Sequence, residues 1–135
     1  MNPTQTHSTL KLTRRMRRLR RTDAMRALVR ETRLSPEMFV LPLFVCEGEG
    51  VRREVTSMPG VFNLSVDEAV KEAEGAKADG VKSVLLFGLP DHKDDVGSNA
   101  YNPEAPVQSA VRAIKQALPD VLVITDVCLC EYTDH

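Results

Sequence analysis

Three apolar runs separated by two amphipathic stretches dominate the pattern of hydrophobic and polar positions along the chain. The runs lie at residues 39–45, 81–87 and 121–127, and the first is continuously apolar, as expected of a strand buried on both faces. Between them, apolar residues recur at helical spacing after Ser65 and again after Pro106. The order strand, helix, strand, helix, strand predicts a parallel βαβαβ arrangement, because right-handed crossovers feed a parallel sheet.

Local signals place the ends of these elements. Ser65 and Glu68 match the S-x-x-E capping box at the start of the first amphipathic helix, and Gly80 fits its C-terminal cap. Residues 46–64, which contain Glu-Gly-Glu-Gly and Met-Pro-Gly, are predicted to be a connector. Before the first strand, Thr22 or Asp23 can cap a short helix that ends near Arg33.

The net charge of −1 hides an asymmetry between the two ends of the chain. Residues 1–35 contain ten basic and two acidic residues, whereas residues 36–135 contain eight basic and seventeen acidic ones. A basic arm on an acidic body can bind nucleic acid or an anionic membrane, or it can lie on the body of its own or a neighbouring subunit. The arm contains no aromatic residue that could stack on a base, which weakens the nucleic-acid interpretation.

Several protein classes are disfavoured by what the sequence lacks. It contains no apolar run of about 18 residues that could span a bilayer, and its Arg-rich beginning does not resemble a secretory signal. Three cysteines, an odd number, argue against a secreted disulfide framework and favour a reducing, cytoplasmic location. Neither G-x-G-x-x-G nor GxxxxGK[ST] occurs, so nucleotide-phosphate binding has no support.

The candidate chemistry lies where the third strand ends, in the run Asp126-Val-Cys128-Leu-Cys130. Sites in α/β folds form at the carboxyl ends of strands, and residues i and i+2 of an extended segment point to the same face. Cys128 and Cys130 can therefore bind one soft metal ion, act as a redox pair, or be small buried residues. Asp126 either caps a turn or handles a proton beside the metal. His135 could become a further ligand only if the chain bends back.

Four segments together resemble the porphobilinogen synthase, or 5-aminolevulinate dehydratase, family. They are FVLPLFV at 39–45, MPGV at 58–61, SVLLFG at 83–88 and above all DVCLCEYTDH at 126–135. The resemblance implies an α/β fold in which this chain supplies the first three strands and two helices of a TIM (β/α)8 barrel, preceded by a basic N-terminal arm. Residues 1–35 would be the arm that contacts another subunit, usually in a homo-octamer, and residues 36–135 the incomplete barrel.

The same resemblance implies a reaction and a metal. The family is a lyase of tetrapyrrole (haem, chlorophyll and cobalamin) biosynthesis, which condenses two molecules of 5-aminolevulinate to porphobilinogen with loss of two waters. Cys128 and Cys130 match two of three zinc-binding cysteines, and the third is expected beyond His135, which itself is not implied to be a ligand. Asp126 matches an active-site aspartate near the zinc. An allosteric Mg²⁺ site and the two lysines that form Schiff bases with substrate are also expected outside this chain.

The resemblance therefore predicts that the chain is an N-terminal fragment of a zinc-type enzyme, inactive and poorly soluble by itself. Its six lysines (Lys11, Lys71, Lys77, Lys82, Lys93 and Lys115) fall on the arm, helices, a strand start or a loop, and none suits the Schiff-base role. Expected partners are 5-aminolevulinate and further copies of the chain, with neither nucleic acid nor membrane. The alternative hypothesis is a small complete α/β module that binds metal or works in redox chemistry through the C-x-C pair.

Overall fold

The structure, a computed structural model, describes residues 17–135, and the chain divides after Arg33 into two compact units. The described part of the first unit contains a 3-10 turn at Arg18–Arg20 and helix α1 at Asp23–Leu28. The Thr22 hydroxyl accepts a hydrogen bond from the Met25 N–H at 3.1 Å, which confirms Thr22 as the cap. Helix α1 ends five residues before the predicted end near Arg33. Residues 1–16 of the predicted arm lie outside the described residues, and the division of the chain at residue 35 stays a prediction.

The second unit is a five-stranded mixed sheet with two helices. Its elements are β1 (Val40–Cys46), β2 (Arg52–Glu54), β3 (Phe62–Leu64), α2 (Val66–Ala78), β4 (Ser83–Leu89), α3 (Pro106–Ala117) and β5 (Leu122–Thr125). Short 3-10 turns also occur at Pro36–Met38 and Ser98–Ala100. The strand order is β2-β3-β1-β4-β5, in which β1, β4 and β5 are parallel neighbours. The three predicted strands and both predicted helices are thus present, although β5 ends two residues before the predicted position at 127.

The prediction of a simple connector at residues 46–64 is wrong, because this stretch contributes two further strands. β2 pairs with β3 antiparallel, and β3 extends the sheet by pairing parallel to β1 at Phe44 and Val45. Gly60, with a φ of +81°, allows the tight chain reversal between them, and its N–H donates to the Glu54 carboxylate at 2.8 Å. Strands of three residues are too short to show a period in the sequence, which is why only the turn signals were visible.

Both helices of the second unit pack on one face of the sheet. Alternate residues of the central strands, Leu43 and Val45 on β1 and Val84 and Leu86 on β4, are buried in one cluster with apolar side chains of α2 and α3. Ile114 of α3 is fully buried at its centre. Burial of these side chains, at about 25 cal/mol per Å² of apolar surface, is the main force that holds the helices to the sheet.

The opposite face of the same strands is apolar but much more exposed. Phe44 and Phe87 stack there with ring centroids 5.4 Å apart. Around them Val40, Leu122 and Ile124 keep 44%, 57% and 36% of their surface in contact with solvent. The sheet is therefore apolar on both faces, as the continuous run at 39–45 predicted, but only one face is covered by α2 and α3.

The ends of α2 are held differently from each other. Gly80, with a φ of +90°, lets the Gly80 and Val81 N–H groups donate to the carbonyls of Lys77 and Ala76, which confirms the glycine cap. The predicted capping box is wrong. The buried Ser65 hydroxyl accepts from the Val51 N–H at 2.9 Å and donates to the Asp67 carboxylate at 2.6 Å, while Glu68 pairs with Lys71. Ser65 therefore ties the helix start to the β1–β2 connection instead of closing the helix upon itself.

Candidate metal centre

Asp126 begins the candidate site directly after β5. Its N–H donates to the Leu86 carbonyl at 3.2 Å, so the backbone of Asp126 is still hydrogen-bonded to β4. Its carboxylate accepts hydrogen bonds from the N–H groups of Val127 at 2.8 Å and Cys128 at 3.3 Å. Asp126 thus caps the segment that carries the cysteines, which is one of the two roles considered for it from the sequence. Asp126 also lines a cleft beside the two cysteines.

A turn, rather than an extended segment, brings the two cysteines together. The Leu129 carbonyl accepts from the N–H groups of Tyr132 at 2.9 Å and Thr133 at 3.0 Å, so the chain coils once after Cys128. This coil places the sulfur atoms of Cys128 and Cys130 and a carboxylate oxygen of Glu131 within 4.8 Å of one another. Glu131 was not predicted, because a glutamate beside two cysteines carries no spacing signal of its own.

The donor set fits a zinc ion. Zinc accepts thiolate ligands at about 2.3 Å and carboxylate ligands at about 2.0–2.2 Å, and the three donor atoms here lie within 4.8 Å of one another. Both cysteines are exposed, which disfavours their interpretation as small buried residues. A hydrogen bond with the Cys128 thiol is the main cause that raises the pKa of Cys130 above its ordinary value. A bound divalent cation would reverse this effect, because it favours the thiolate form of both side chains.

Tyr132 anchors the turn to the body of the protein. Its side chain is 8% exposed and lies against Gly88 of β4. A Cβ atom at residue 88 would come within 2.2 Å of the Tyr132 hydroxyl oxygen, so only glycine leaves room for the ring. Burial is the main cause that raises the pKa of the Tyr132 phenol, followed by the nearby charges of Glu131 and Asp126. The phenol therefore stays neutral beside the acidic turn.

The loop after β4 supports the turn from its other side. The Asp94 N–H donates to the Tyr132 carbonyl at 3.2 Å, and the Asp134 N–H donates to the Asp94 carbonyl at 3.3 Å. The Lys93 ammonium group donates to the Cys130 carbonyl at 3.0 Å. The cysteine turn is thus paired with a loop about forty residues earlier in the chain, a contact that no local sequence pattern indicates.

A cleft of about 470 Å³ opens beside the turn, between β5 and helix α3. Its walls include Asp126, Cys128 and Tyr132 together with Gln108 and Val111 of α3. The Gln108 side-chain N–H donates to the Ala100 carbonyl at 2.7 Å, whereas its Oε1 is buried without a hydrogen-bond partner. Among the described lysines, none lines this cleft.

Cys46 and His135 lie outside the donor cluster of Cys128, Cys130 and Glu131, and no described lysine belongs to it. Cys46 is buried at the end of β1, and burial is the main cause that raises the pKa of its thiol. His135 is exposed, and its Nδ1 lies 3.7 Å from the carboxylate of its neighbour Asp134. Among the described lysines, Lys71, Lys77, Lys93 and Lys115 are engaged in ion pairs or bonds to carbonyls, and Lys82 is exposed. Lys11 lies outside the described residues.

The described residues contain no helix that is both long and apolar enough to cross a membrane.

Comparison with known proteins gives consistent matches. The family model described as delta-aminolevulinic acid dehydratase matches residues 13–135. Proteins of that name from Ruminiclostridium josui and from Helicobacter pylori are each 50% identical to this chain over 90% of its length. The chain spans only 60% and 38% of the lengths of these two relatives.

A solved structure gives the same assignment. It is the crystal structure of delta-aminolevulinic acid dehydratase (porphobilinogen synthase) from Toxoplasma gondii in complex with the reaction product porphobilinogen. It superposes with a TM-score of 0.84 at 36% identity, over 93% of this chain and 36% of that one. The match to the family model, residues 13–135, includes the segment that carries Asp126, Cys128 and Cys130. The chain belongs to the delta-aminolevulinic acid dehydratase family.

Proposed function

We propose that this chain is part of a porphobilinogen synthase, a lyase that condenses two molecules of 5-aminolevulinate to porphobilinogen with loss of two waters. The observation that carries the proposal is the turn of Cys128 and Cys130 at the carboxyl end of β5, within the segment that the family model matches. The relative from Toxoplasma gondii, whose structure contains porphobilinogen, supplies the identity of the product.

We propose further that the sheet belongs to a (β/α)8 barrel. β1, β4 and β5 are parallel neighbours, and helices α2 and α3 cover one of their faces, as in the outer ring of such a barrel. The exposed apolar face with Phe44 and Phe87 would then point toward the barrel interior, which is filled by side chains. Active sites of these barrels lie at the carboxyl ends of the strands, where Asp126 and the cysteines are found.

Zinc is the metal that these donors support best. Cys128 and Cys130 would supply two thiolates, and the family resemblance implies a third cysteine beyond His135. Glu131 is also close enough to supply an oxygen donor. When bound, zinc supplies Lewis-acid chemistry and lowers the pKa of a coordinated water or amine. Asp126, whose carboxylate lines the cleft and caps the turn, would orient the cysteine segment and bind a substrate ammonium group.

The remaining proposals concern assembly and regulation. The exposed arginines and apolar side chains of residues 17–34 suit an arm that contacts an acidic neighbouring copy, within an octamer. A magnesium ion that regulates the enzyme would bind outside this chain. A cytoplasmic location fits the three free thiols.

The test is to supply the whole protein that contains this chain with 5-aminolevulinate and measure porphobilinogen. Activity should appear with zinc and disappear with a chelator. The double substitution of Cys128 and Cys130 by serine should abolish activity and lower zinc affinity by at least about tenfold, because it removes two of the metal's donors. It should change the free energy of unfolding of the metal-free protein by less than about 0.5 kcal/mol, since both side chains are exposed.

Cys46→Ala is the matched control, because Cys46, the remaining cysteine of this chain, is buried outside the candidate site. It should lose stability but keep zinc affinity. An active protein that ignores both chelator and the double substitution would contradict the zinc assignment. Absence of porphobilinogen with either zinc or magnesium present would contradict the proposed reaction.

A further inference from the structure

The side chain of Asp94 organises the loop that follows β4. Its carboxylate accepts hydrogen bonds from the N–H groups of Ser98 at 2.9 Å and Val96 at 3.2 Å and from the Ser98 hydroxyl. The Gly97 N–H donates to the Asp94 carbonyl at 3.4 Å, and Gly97 adopts a φ of +61°. These bonds, of which the Ser98 hydroxyl contributes most, lower the pKa of Asp94 below its ordinary value. One half-buried carboxylate therefore fixes the conformation of five consecutive residues.

The backbone of Asp94 meets the cysteine turn. Its N–H and C=O pair with the Tyr132 carbonyl and the Asp134 N–H, which forms a short parallel bridge between Asp94 and Thr133. Gly97 lies directly under Thr133, because a Cβ atom at residue 97 would be 3.3 Å from the Thr133 methyl carbon. The side chain of Asp94 thus fixes the conformation of its own loop. The backbone of the same residue pairs with the segment that follows Cys130.

We propose that Asp94 is a positioning residue for the metal site, acting through the Asp94–Thr133 bridge on Cys128 and Cys130. The inference rests on the zinc site proposed above. Both cysteines are exposed and neither belongs to the hydrophobic core of the described residues, so the path of their backbone largely decides where the sulfur atoms lie. That backbone is held at Asp126 before the pair, at the Leu129 and Cys130 carbonyls within it, and at Tyr132 and the Asp94 bridge after it.

The bridge matters because, like the Lys93 bond and the packing of Tyr132 on Gly88, it supports the cysteine segment from outside. The capping bonds of the Asp126 carboxylate and the Leu129 carbonyl are local to that segment. The Asp94 bridge and the Lys93 bond to the Cys130 carbonyl instead fix the turn relative to β4. A metal that needs ligands within a few tenths of an ångström gains affinity when such supports hold the ligands in place before it binds.

The experiment compares the metal affinity of four proteins: the parent whole protein and its Asp94→Ala, Ser98→Ala and Asp95→Asn variants, each purified free of metal. Zinc affinity is measured by competition with a chromophoric chelator. Cobalt(II) is used as a second probe, because its sulfur-to-metal charge-transfer absorption reports how many thiolates bind. Asp95, an exposed neighbour in the same loop, provides the matched control.

Asp94→Ala is expected to weaken zinc binding by about 10–100-fold, the range seen when outer supports of metal ligands are removed. The charge-transfer absorption per bound cobalt ion should fall as well. Ser98→Ala removes one hydroxyl bond to Asp94 and should weaken binding less than Asp94→Ala. Zinc affinity measured well below the thermal midpoint of each variant separates positioning from general loss of fold. Asp95→Asn should match the parent protein in affinity and in absorption.

Three results would overturn the inference. A parent protein that binds neither zinc nor cobalt through thiolates removes the metal site, and with it both this inference and the zinc assignment. If Asp94→Ala and Ser98→Ala both bind zinc as tightly as the parent protein, the positioning role of Asp94 is wrong, while the zinc assignment stands. An affinity loss that appears only in variants whose far-ultraviolet circular dichroism is also lost assigns Asp94 to general stability instead of positioning.

Discussion

At the scale of single residues, Gly88 decides whether the cysteine turn can dock on the sheet. In Gly88→Ala the new methyl group would lie 2.2 Å from the Tyr132 hydroxyl and 2.9 Å from the Val107 side chain. We expect a loss of about 1–3 kcal/mol in the free energy of unfolding, because crowding a packed site forces side chains and backbone to shift. Urea unfolding followed by circular dichroism measures this loss, and zinc affinity should fall with it.

Gly75→Ala is the control, since a Cβ atom at this position in α2 meets nothing within 4 Å. That substitution should raise stability by about 0.5–1 kcal/mol, because alanine is a better helix former than glycine. If the two variants unfolded at the same urea concentration, the close contact between Gly88 and Tyr132 would not exist in solution.

The residues of the candidate site could be predicted from the sequence, whereas the contacts that support them could not. Asp126, Cys128 and Cys130 were predicted together because they follow a strand directly, and the sulfur atoms do lie close to each other. Asp94 and Gly88 left no comparable signal, since each acts through a partner about forty residues away. Pairings of that kind depend on which strands become neighbours, and a local pattern contains no such information.

At the scale of elements, Asp67 at the start of α2 makes the anchoring of this helix depend on pH. The Ser65 hydroxyl and the Gly50 N–H donate to its carboxylate and lower the pKa of Asp67. The charged form is favoured in the folded state, so its contribution to stability is complete above the unfolded pKa of about 3.9. It is lost as the pH falls through the lower folded value.

The corresponding measurement is urea unfolding of the parent and of Asp67→Asn over a range of pH. The parent should be more stable at neutral pH, and the difference should shrink below about pH 4, because protonation then removes the charge from the parent too. With Ser65→Ala in both proteins, the pH-dependent part of the difference should become smaller. A difference that stayed constant down to the acid range would show that the charge of Asp67 contributes nothing.

Elements in which a hydrophobic pattern extends over many residues could be predicted from the sequence. Elements that exist only through tertiary contacts could not. β1, β4, α2 and α3 follow directly from apolar spacing, and Gly80 marked the end of α2. β2 and β3 have three residues each and exist because they pair with each other and with β1. Ser65 does not form the capping box because its buried hydroxyl accepts a hydrogen bond from the Val51 N–H instead of from the helix.

At the scale of the whole molecule, the uneven covering of the sheet should control its solubility. The face with Phe44, Phe87, Leu122 and Ile124 exposes a contiguous apolar surface, of the kind that drives association. The isolated 135-residue chain is therefore expected to self-associate in analytical ultracentrifugation. Leu122→Lys together with Ile124→Lys should shift it toward monomer, because two charges on this face must be desolvated before it can pack.

Val96→Lys serves as the control, because Val96 is equally apolar and 63% exposed but lies in the loop after β4. This variant should associate like the parent chain. A parent chain that sediments as a stable monomer at all concentrations would contradict the expectation that this face needs a cover.

If Cys128 and Cys130 bind zinc as proposed, substitution at these two positions would change the metal preference of the site without remaking the fold. The two thiols lie outside the core, and the turn that carries them is held by the Leu129 carbonyl, by the Asp126 carboxylate and by the bridge to Asp94. Exchanging either sulfur for an oxygen donor would change stability by less than about 0.5 kcal/mol, since exposed positions tolerate substitution. Under that proposal, the same backbone would serve a harder ion once oxygen donors replaced the two sulfur atoms.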